Sequence, residues 1–250
     1  MHYVTVEIEG AIATVTMARP ERMNALHPAA QDEMHAAWDM VAAAEGVRVA
    51  ILTGAGDRAF CAGYDLRDNL ETGVMHIPEG GFGGLTGRQP FPVPIIAAVN
   101  GVALGGGFEM ALSCDILLAS GSARFGLPEP KVGWAALACG VQRLPAAIGE
   151  KRAMEMILTG RIIDAEEALR IGLVSSLHAP GDLMSAARAK AEEVAACAPL
   201  AIAASRDVAY RGLDLRVDQF PSVRRMLDSE DAREGKAAFA EKRAPVWRGR

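Results

Sequence analysis

The sequence has few residues of the kinds that build disulfide frameworks or metal centres. Its 250 residues include four cysteines and five histidines. Cys61, Cys114, Cys139 and Cys197 form no CxxC pair, so they predict buried thiols in a reducing compartment rather than a disulfide framework or a zinc site. The histidines are scattered along the chain, and no metal is expected.

An excess of positive charge and long apolar runs are also missing. The formal net charge is -5 at pH 7, which predicts no basic surface for nucleic acid. No stretch approaches the roughly 20 consecutive apolar residues of a membrane span. The first residues alternate apolar and polar, as in a strand, and form no visible targeting segment. The expectation is a cytoplasmic protein with neither nucleic acid nor membrane as a partner.

Apolar residues, in contrast, make up 50% of the chain, which is enough for a substantial core in one domain or in a domain with a smaller appendage. Alternating stretches at 4–8 and 12–17, separated by Glu9 and Gly10, predict a β-hairpin. Helical spacing predicts a helix over 28–44, with Trp38 in the core.

Short apolar runs at 49–52, 95–99 and 115–119 predict buried strands. A helical run at 108–113 follows the second of them. The recurring order of strand, glycine turn, helix and strand favours an α/β layer fold. After about Asp182 the chain is alanine-rich and helical, and we expect this part to pack on the core or on another subunit.

The segment 68–94 contains six glycines and four prolines. It cannot form one regular element throughout, and we expect it to include a mobile loop. Its composition fits a disordered surface excursion at least as well as a lid over a site.

Three consecutive glycines, Gly105, Gly106 and Gly107, precede the helical run, and Glu109 falls in its first turn. Glycine lets a ligand or another backbone approach closely, and the free N–H groups at a helix N-terminus suit an anion. An acidic residue that only favours the helix dipole would give the same pattern. The glycine spacing does not match the dinucleotide-binding fingerprint.

Together with two further stretches, this one resembles the enoyl-CoA hydratase/isomerase (crotonase) family. AGYD at 62–65 matches the family's AG-x-D turn, AAVNGVALGGGFE at 97–109 its AAVNG-x-ALGGG-x-E segment, and FGLPE at 125–129 its FG-x-PE segment. The order and spacing are those of the family. Similar stretches run from ARPERMNAL at 18–26 to REGKAAFAEKR at 233–243, so the resemblance covers nearly the whole chain.

The resemblance implies an α/β fold with a crotonase-like ββα spiral core. The core with its acyl-CoA site would occupy 1–190, and a C-terminal helical trimerisation segment would occupy 191–250. The family's tail packs between subunits, which implies a homotrimer or a dimer of trimers. Coenzyme A would enter as part of the acyl-CoA thioester substrate, and no separate cofactor is expected.

The resemblance also implies the residues of the site. The backbone N–H groups of Tyr64 and Gly106 would form an oxyanion hole for the thioester carbonyl, and Glu109 and Glu129 would be the catalytic carboxylates. The residues expected to bind substrate or CoA are Met23, Ala25, Ala62, Gly63, Tyr64, Asp65, Leu66, Arg67, Gly105, Gly106, Pro128 and Leu137. Asp65 is expected to brace its turn through Asx-type hydrogen bonds. Arg22 fits a phosphate contact and a solvated surface position equally well.

Two carboxylates suit the addition of water across an α,β double bond, because one can take a proton from water while the other handles the α-carbon proton. We therefore expect an enoyl-CoA hydratase, a lyase. The alternatives are an isomerase or another crotonase chemistry that relies mainly on Glu129, and a non-catalytic acyl-CoA binder, which the presence of both glutamates disfavours.

One segment departs from the family pattern. Hydratases of the family carry a turn of the type IPGAGGTQRL after the second glutamate, whereas residues 135–144 read AALACGVQRL. Ala136, Leu137 and Cys139 replace the proline and two of the glycines. Leu137 and Trp134 are expected to narrow the site, so an unusual acyl group or another reaction of the superfamily stays possible at this stage.

Overall fold

The protein combines two β-sheets with a set of helices, as the predicted α/β class requires. A computed structural model describes residues 1–88, 90–211 and 221–250. The strands are β1 (Val4–Glu9), β2 (Ile12–Met17), β3 (Val49–Gly54), β4 (Ala59–Cys61), β5 (Ile95–Val99), β6 (Val102–Leu104), β7 (Ile116–Ser120), β8 (Arg124–Gly126), β9 (Ile162–Asp164) and β10 (Ser176–His178). The α-helices are α1 (Pro28–Ala43), α2 (Leu66–Thr72), α3 (Gly106–Leu112), α4 (Gly140–Ile148), α5 (Glu150–Thr159), α6 (Ala165–Arg170), α7 (Leu183–Ala195), α8 (Pro199–Arg211), α9 (Pro221–Asp228) and α10 (Glu230–Glu241). Short 3₁₀ helices cover Pro20–Arg22, Phe82–Gly84 and Glu129–Val132.

The larger sheet has the strand order β1-β2-β3-β5-β7-β10, with an antiparallel β1–β2 hairpin and parallel pairing in the rest. Strands β3 and β5 are buried along their whole length because the sheet is covered on both faces. Trp38 of α1 belongs to the core on one face. On the other face α7 packs Leu183, Ala187 and Ala191, which follow one another at intervals of four residues and so lie on one side of the helix.

The smaller sheet positions the candidate site. Its strand order is β4-β6-β8-β9, and β4, β6 and β8 run parallel. Parallel strands end at the same edge of a sheet, so the segments that follow these three strands are brought together. Those segments are the turn at 62–65, the three glycines at 105–107, and the stretch that leads to Glu129. The three stretches that carry the family resemblance therefore converge at one edge.

The predicted hairpin, the helix over 28–44 and the strand over 95–99 are confirmed, with small differences at the ends. The helix predicted at 108–113 begins two residues earlier, at Gly106. Glycine has a poor intrinsic helix propensity, which hides the first turn of this helix in the sequence. The strand predicted at 115–119 begins one residue later, at Ile116, and the Asp115 side chain accepts a hydrogen bond from the Ile95 amide at 2.7 Å.

The prediction that all four cysteines are buried is wrong for Cys197. Cys61 and Cys114 are buried, Cys139 is half-buried and Cys197 is exposed; all four are free thiols. Cys197 follows the end of α7, and its thiol donates to the Glu193 carbonyl oxygen at 3.4 Å. Its place in an exposed link between helices outweighs the usual burial of cysteine.

The glycine-rich segment 68–94 is irregular over most of its length, as predicted. The interpretation of the segment as a surface excursion is nevertheless wrong for its middle part, because residues 82–86 are buried. Gly84 has a φ of +61°, and a Cβ there would lie 2.4 Å from the Cα of His35 on α1. The Trp38 indole donates to the Gly83 carbonyl oxygen at 3.1 Å. Glycine lets this segment enter the core and pack directly against α1.

Helices α7–α10 form the C-terminal part of the chain. Helix α7 runs across position 190/191, where the core and the C-terminal segment are predicted to divide. Helix α8 is tied to the core by Arg206, whose Nε lies 2.7 Å from Oδ1 of Asp115 in a largely buried ion pair. None of the helices in the described ranges has the length and apolar character to cross a membrane.

Candidate active site

A cavity of about 520 Å³ opens at the edge where β4, β6 and β8 end. Its volume is in the range of pockets that bind small organic ligands. Ten of the sequence-predicted residues line it, namely Ala62, Gly63, Tyr64, Leu66, Gly105, Gly106, Glu109, Pro128, Glu129 and Leu137. The structure thus brings both candidate carboxylates and both candidate oxyanion donors to one cavity.

Glu109 lies in the first turn of α3 and is only 3% exposed. Its Oε1 accepts a hydrogen bond from the Gly140 amide at 2.8 Å. Burial raises the pKa of Glu109 to about 7, and the nearby Glu129 adds to this rise, while hydrogen bonds from the Gly140 and Ala138 backbone oppose it. A carboxyl group with this pKa can hold or release a proton near neutral pH, as a general acid or base must.

The turn before α4 holds the Glu109 carboxylate in place. Cys139, between the two donating amides, is in the left-handed region, with φ 80° and ψ 3°. Alternation of conformation at successive residues points neighbouring N–H groups at one anion. The position matches a glycine of the family's usual turn. Cys139 therefore keeps a glycine-like backbone conformation although it carries a side chain.

Glu129 begins a 3₁₀ helix and faces the glycine turn. A Cβ built on Gly105 would lie 3.0 Å from Glu129 Oε1. Glu129 Oε2 is buried and has no hydrogen-bond partner among the described residues. Burial raises the pKa of Glu129. The oxygen beside the glycines is Oε1, whereas the unpartnered Oε2 is enclosed by protein atoms.

The amides of Tyr64 and Gly106, the candidate oxyanion donors, belong to two turns that lie next to each other. A Cβ built on Gly63 would lie 3.3 Å from the Gly106 nitrogen, so the two turns are in contact. In the part of the chain that the structure describes, neither amide has a backbone or side-chain acceptor, although the adjacent Gly105 amide donates to Gly126 at 3.0 Å. Gly106 is also the first residue of α3, where an N–H has no partner within the helix.

The other predicted substrate-binding residues, Met23, Ala25, Asp65 and Arg67, lie beside the cavity and do not line it. The Met23 carbonyl oxygen accepts from the Ala62 amide at 3.0 Å. Asp65 is buried; its Oδ1 accepts from the Asp68 amide at 3.3 Å, which confirms the predicted brace. Its Oδ2 also pairs with Arg19 at 3.2 Å. Arg22 and Arg67 are exposed. Within the described ranges, no group of three or more His, Cys, Asp or Glu side chains is placed to hold a metal ion.

Sequence reasoning missed much of the cavity wall. The missed lining residues are Met75, Ile77, Gly81, Phe82, Thr86, Gly87, Lys131 and Val132. Ala135, Ala138 and Cys139 belong to the turn at 135–144 that was already expected at the site, and Trp134 was expected to add bulk there. Many of them belong to the glycine-rich segment. The Tyr64 hydroxyl anchors this segment: it donates to the Val74 carbonyl oxygen at 3.2 Å and accepts from the His76 amide at 3.1 Å. A glycine-rich stretch next to a candidate turn was the only available signal.

The raised pKa of Glu109 predicts a pH-dependent stability difference. The folded state holds the Glu109 proton up to a pKa of about 7, against an ordinary value of 4.5, so wild-type stability falls as the pH rises between these values. Glu109→Gln removes this penalty. The difference in free energy of unfolding, variant minus wild type, should therefore depend on pH. We expect it to increase by roughly 2 kcal/mol between pH 5 and pH 8 and to stay constant above that. Urea unfolding at a series of pH values measures it, and a difference that does not vary with pH would contradict the assignment.

Comparisons with known proteins identify the family and the relatives that this chain resembles. The family model described as enoyl-CoA hydratase/isomerase matches residues 7–250. The chain is 41% identical to an (E)-benzylidenesuccinyl-CoA hydratase of Thauera aromatica, over 98% of this chain and 99% of that protein. It is also 41% identical to a carnitinyl-CoA dehydratase of Escherichia coli (strain K12), over 96% of each. A crystal structure of enoyl-CoA hydratase from Mycobacterium tuberculosis H37Rv superposes with a TM-score of 0.93 at 38% identity and covers 100% of both chains.

Proposed function

Because the chain belongs to the enoyl-CoA hydratase/isomerase family, we propose that it adds water to, or removes water from, the α,β bond of an acyl-CoA thioester. It is a crotonase-fold lyase, and its substrate is an acyl-CoA. The observation that supports the reaction type best is the joint presence of two buried carboxylates and two free backbone amides in one cavity. The hydratase and dehydratase activities in the names of its relatives agree with this proposal.

The amides of Tyr64 and Gly106 bind the thioester carbonyl oxygen in this proposal. When water adds to the β-carbon, electron density moves through the conjugated system to that oxygen and an enolate-like state forms. Fixed N–H donors stabilise the developing negative charge without having to reorganise. The apolar lining around them strengthens the interaction because it keeps the local dielectric low.

Glu109 and Glu129 divide the proton transfers. In hydration, one glutamate in its ionised form takes a proton from water as the oxygen bonds to the β-carbon, and the other glutamate in its protonated form gives its proton to the α-carbon. Burial raises the pKa of both carboxyl groups, which favours the protonated form of each more than in an exposed glutamate. A carboxylate oxygen of Glu129, which lines the cavity, accepts a hydrogen bond from the attacking water in this proposal.

The test is turnover on a panel of linear, branched and aromatic 2-enoyl-CoA and 3-enoyl-CoA thioesters. A hydratase removes the conjugated enoyl absorbance of 2-enoyl thioesters and yields the 3-hydroxyacyl product. An isomerase converts 3-enoyl to 2-enoyl thioesters without net hydration, and that outcome would favour the second candidate. Binding without turnover on the whole panel would overturn the proposal in favour of a non-catalytic binder.

We expect the protein to be an oligomer, a homotrimer or a dimer of trimers. Helix α9 has no buried residue in the isolated chain, and Leu227 on it is 61% exposed. Amphipathic helices that leave apolar residues uncovered are typical of subunit contacts. Light scattering at assay concentrations checks this, and a stable, active monomer would contradict it.

The same proposal includes no cofactor beyond the CoA of the substrate, since proton transfers and amide hydrogen bonds supply the chemistry. It also includes a cytoplasmic location, for which the four free thiols give compositional support.

A further inference from the structure

Large apolar side chains border the mouth of the cavity without being covered. Leu66, Met75, Ile77, Val132, Trp134 and Leu137 all line the cavity, and their exposed fractions run from 42% for Met75 to 75% for Leu137. Scattered exposed apolar residues are ordinary, but a contiguous set around a cavity marks a surface that a ligand or partner covers. Here we call these six residues the apolar rim.

Part of the rim comes from the segment that directly follows Glu129. The Trp134 amide donates to the Glu129 carbonyl oxygen at 2.9 Å, so the indole-bearing residue is tied to one candidate carboxylate. Leu137 precedes Ala138, whose amide helps to hold the other carboxylate, Glu109. The Leu137 amide is itself engaged by the Ala135 carbonyl oxygen at 2.9 Å. Leu137 therefore contacts the cavity through its isobutyl side chain and not through its backbone amide.

The other part of the rim comes from the glycine-rich segment. Met75 and Ile77 flank His76, whose Nε2 lies 2.6 Å from Oδ1 of Asp32 on α1. With the two hydrogen bonds of the Tyr64 hydroxyl, this side-chain hydrogen bond holds the segment beside the cavity. Both parts of the rim thus contribute apolar side chains to the wall of the same cavity.

Few polar groups on this side are free to bind a polar acyl group. The Tyr64 hydroxyl is engaged by the backbone of residues 74 and 76, and the Cys139 thiol donates to the Thr86 carbonyl oxygen at 3.5 Å. Lys131 also lines the cavity, and its aliphatic stem packs near Gly160, where a Cβ would lie 3.2 Å from Lys131 Cε. A short linear chain would leave much of the rim exposed to water, whereas a bulky apolar group would cover it.

We infer that the acyl group of the substrate carries an aryl-sized apolar substituent on its β-carbon side, which packs between Trp134 and Leu137 on one side and Met75 and Ile77 on the other. This inference deepens the proposed function and depends on it for the identity of the reacting thioester. Its physical basis is the rim alone, since the oxyanion amides act on the thioester carbonyl and the carboxylates on the α,β bond whatever the substituent.

The first test compares cinnamoyl-CoA with crotonyl-CoA as 2-enoyl substrates of the wild-type protein. We expect kcat/KM to be at least about tenfold higher for cinnamoyl-CoA, because added apolar groups in a matching pocket are worth roughly 10–200-fold each. A preference for crotonyl-CoA, or for an enoyl-CoA with a terminal carboxylate that Lys131 could bind, would overturn the inference.

The second test uses the variants Trp134→Ala and Leu137→Ala. Each should lower the ratio of kcat/KM for cinnamoyl-CoA to kcat/KM for crotonyl-CoA by about tenfold. Leu70→Ala is the matched control: Leu70 is 85% exposed and does not line the cavity, so neither value should change. Equal losses on both substrates would contradict a role in acyl selection.

Calorimetry with saturated thioesters separates this inference from the proposed reaction. 3-Phenylpropanoyl-CoA and butanoyl-CoA cannot react but present the same two acyl sizes. About tenfold tighter binding of the phenyl compound, lost in Trp134→Ala and Leu137→Ala, would support the inference even if no enoyl-CoA were hydrated. Hydration of enoyl-CoA with equal affinity for the two saturated thioesters would retain the function and remove the inference.

Discussion

Replacing either Glu129 or Glu109 with glutamine should lower turnover on the best enoyl-CoA by about 10²–10⁴-fold. Losses of this size are usual when a positioned acid–base group is removed. Glutamine keeps the size of the side chain and removes its titration. Glu109→Gln also retains an oxygen that can accept the Gly140 amide. The measurement is kcat under saturating substrate, with thioester affinity by calorimetry alongside. Neither glutamate is assigned to the CoA part, so binding should persist in both variants.

The double variant, Glu109→Gln with Glu129→Gln, shows whether the two glutamates act together in one step or independently. Residues that act together in one step give non-additive losses, so the double variant should be little slower than either single variant. The exposed Glu45→Gln is a control of the same chemistry away from the cavity. A severe loss in Glu129→Gln with a mild one in Glu109→Gln would indicate an isomerase. Unchanged turnover in both single variants would make the non-catalytic binder the better account.

Substituting proline for Gly106 should abolish activity in a protein that still folds. Proline removes the N–H that is proposed to bind the thioester oxygen, and the first position of a helix tolerates proline well. Any Cβ at this position, however, would lie 2.6 Å from the Phe82 ring, so packing must adjust. Gly106→Ala places the same Cβ against Phe82 and keeps the N–H, and therefore serves as the matched control.

Relative to Gly106→Ala, we expect Gly106→Pro to lose a further 10²–10³-fold in kcat, which is about the worth of one oxyanion donor. Circular dichroism and thermal unfolding of both variants check that the fold is retained. Equal activity of folded Gly106→Pro and Gly106→Ala would remove Gly106 from the oxyanion hole. Loss of activity in both to the same degree would instead identify the Phe82 contact as the sensitive feature.

The sequence was sufficient for the fold class, for the family and for the class of reaction. Periodicity located the hairpin, α1 and the buried strands, because each of these elements has a regular pattern of burial. The candidate carboxylates and amides were found through the family resemblance, and the parallel ends of β4, β6 and β8 explain why three distant motifs meet. What periodicity could not supply was the start of α3, since glycines at 106 and 107 carry no apolar pattern.

The cavity wall was less predictable. Residues 82–86 enter the core because their glycine backbone packs on α1. Their composition alone, however, predicts a solvent-exposed stretch. The anchoring role of the Tyr64 hydroxyl depends on a contact over ten or more residues to a segment without regular structure. Cys139 adopts a conformation that favours glycine, and a cysteine gives no local signal for it. Cys197 was wrongly predicted to be buried, because residue type alone does not indicate that a cysteine lies in an exposed link between helices.

The apolar rim and the catalytic groups differ in how readily their residues can be substituted during evolution. Glu109 is enclosed by neighbours that meet it within hydrogen-bond or van der Waals distance, and a Cβ on Gly140 would come within 2.9 Å of it. Rim residues such as Leu137 and Trp134 are exposed, and substitutions at exposed positions usually cost little folding free energy. A lineage with this scaffold can therefore diversify its substrates by single steps at the rim, while every intermediate remains folded and keeps its catalytic groups intact.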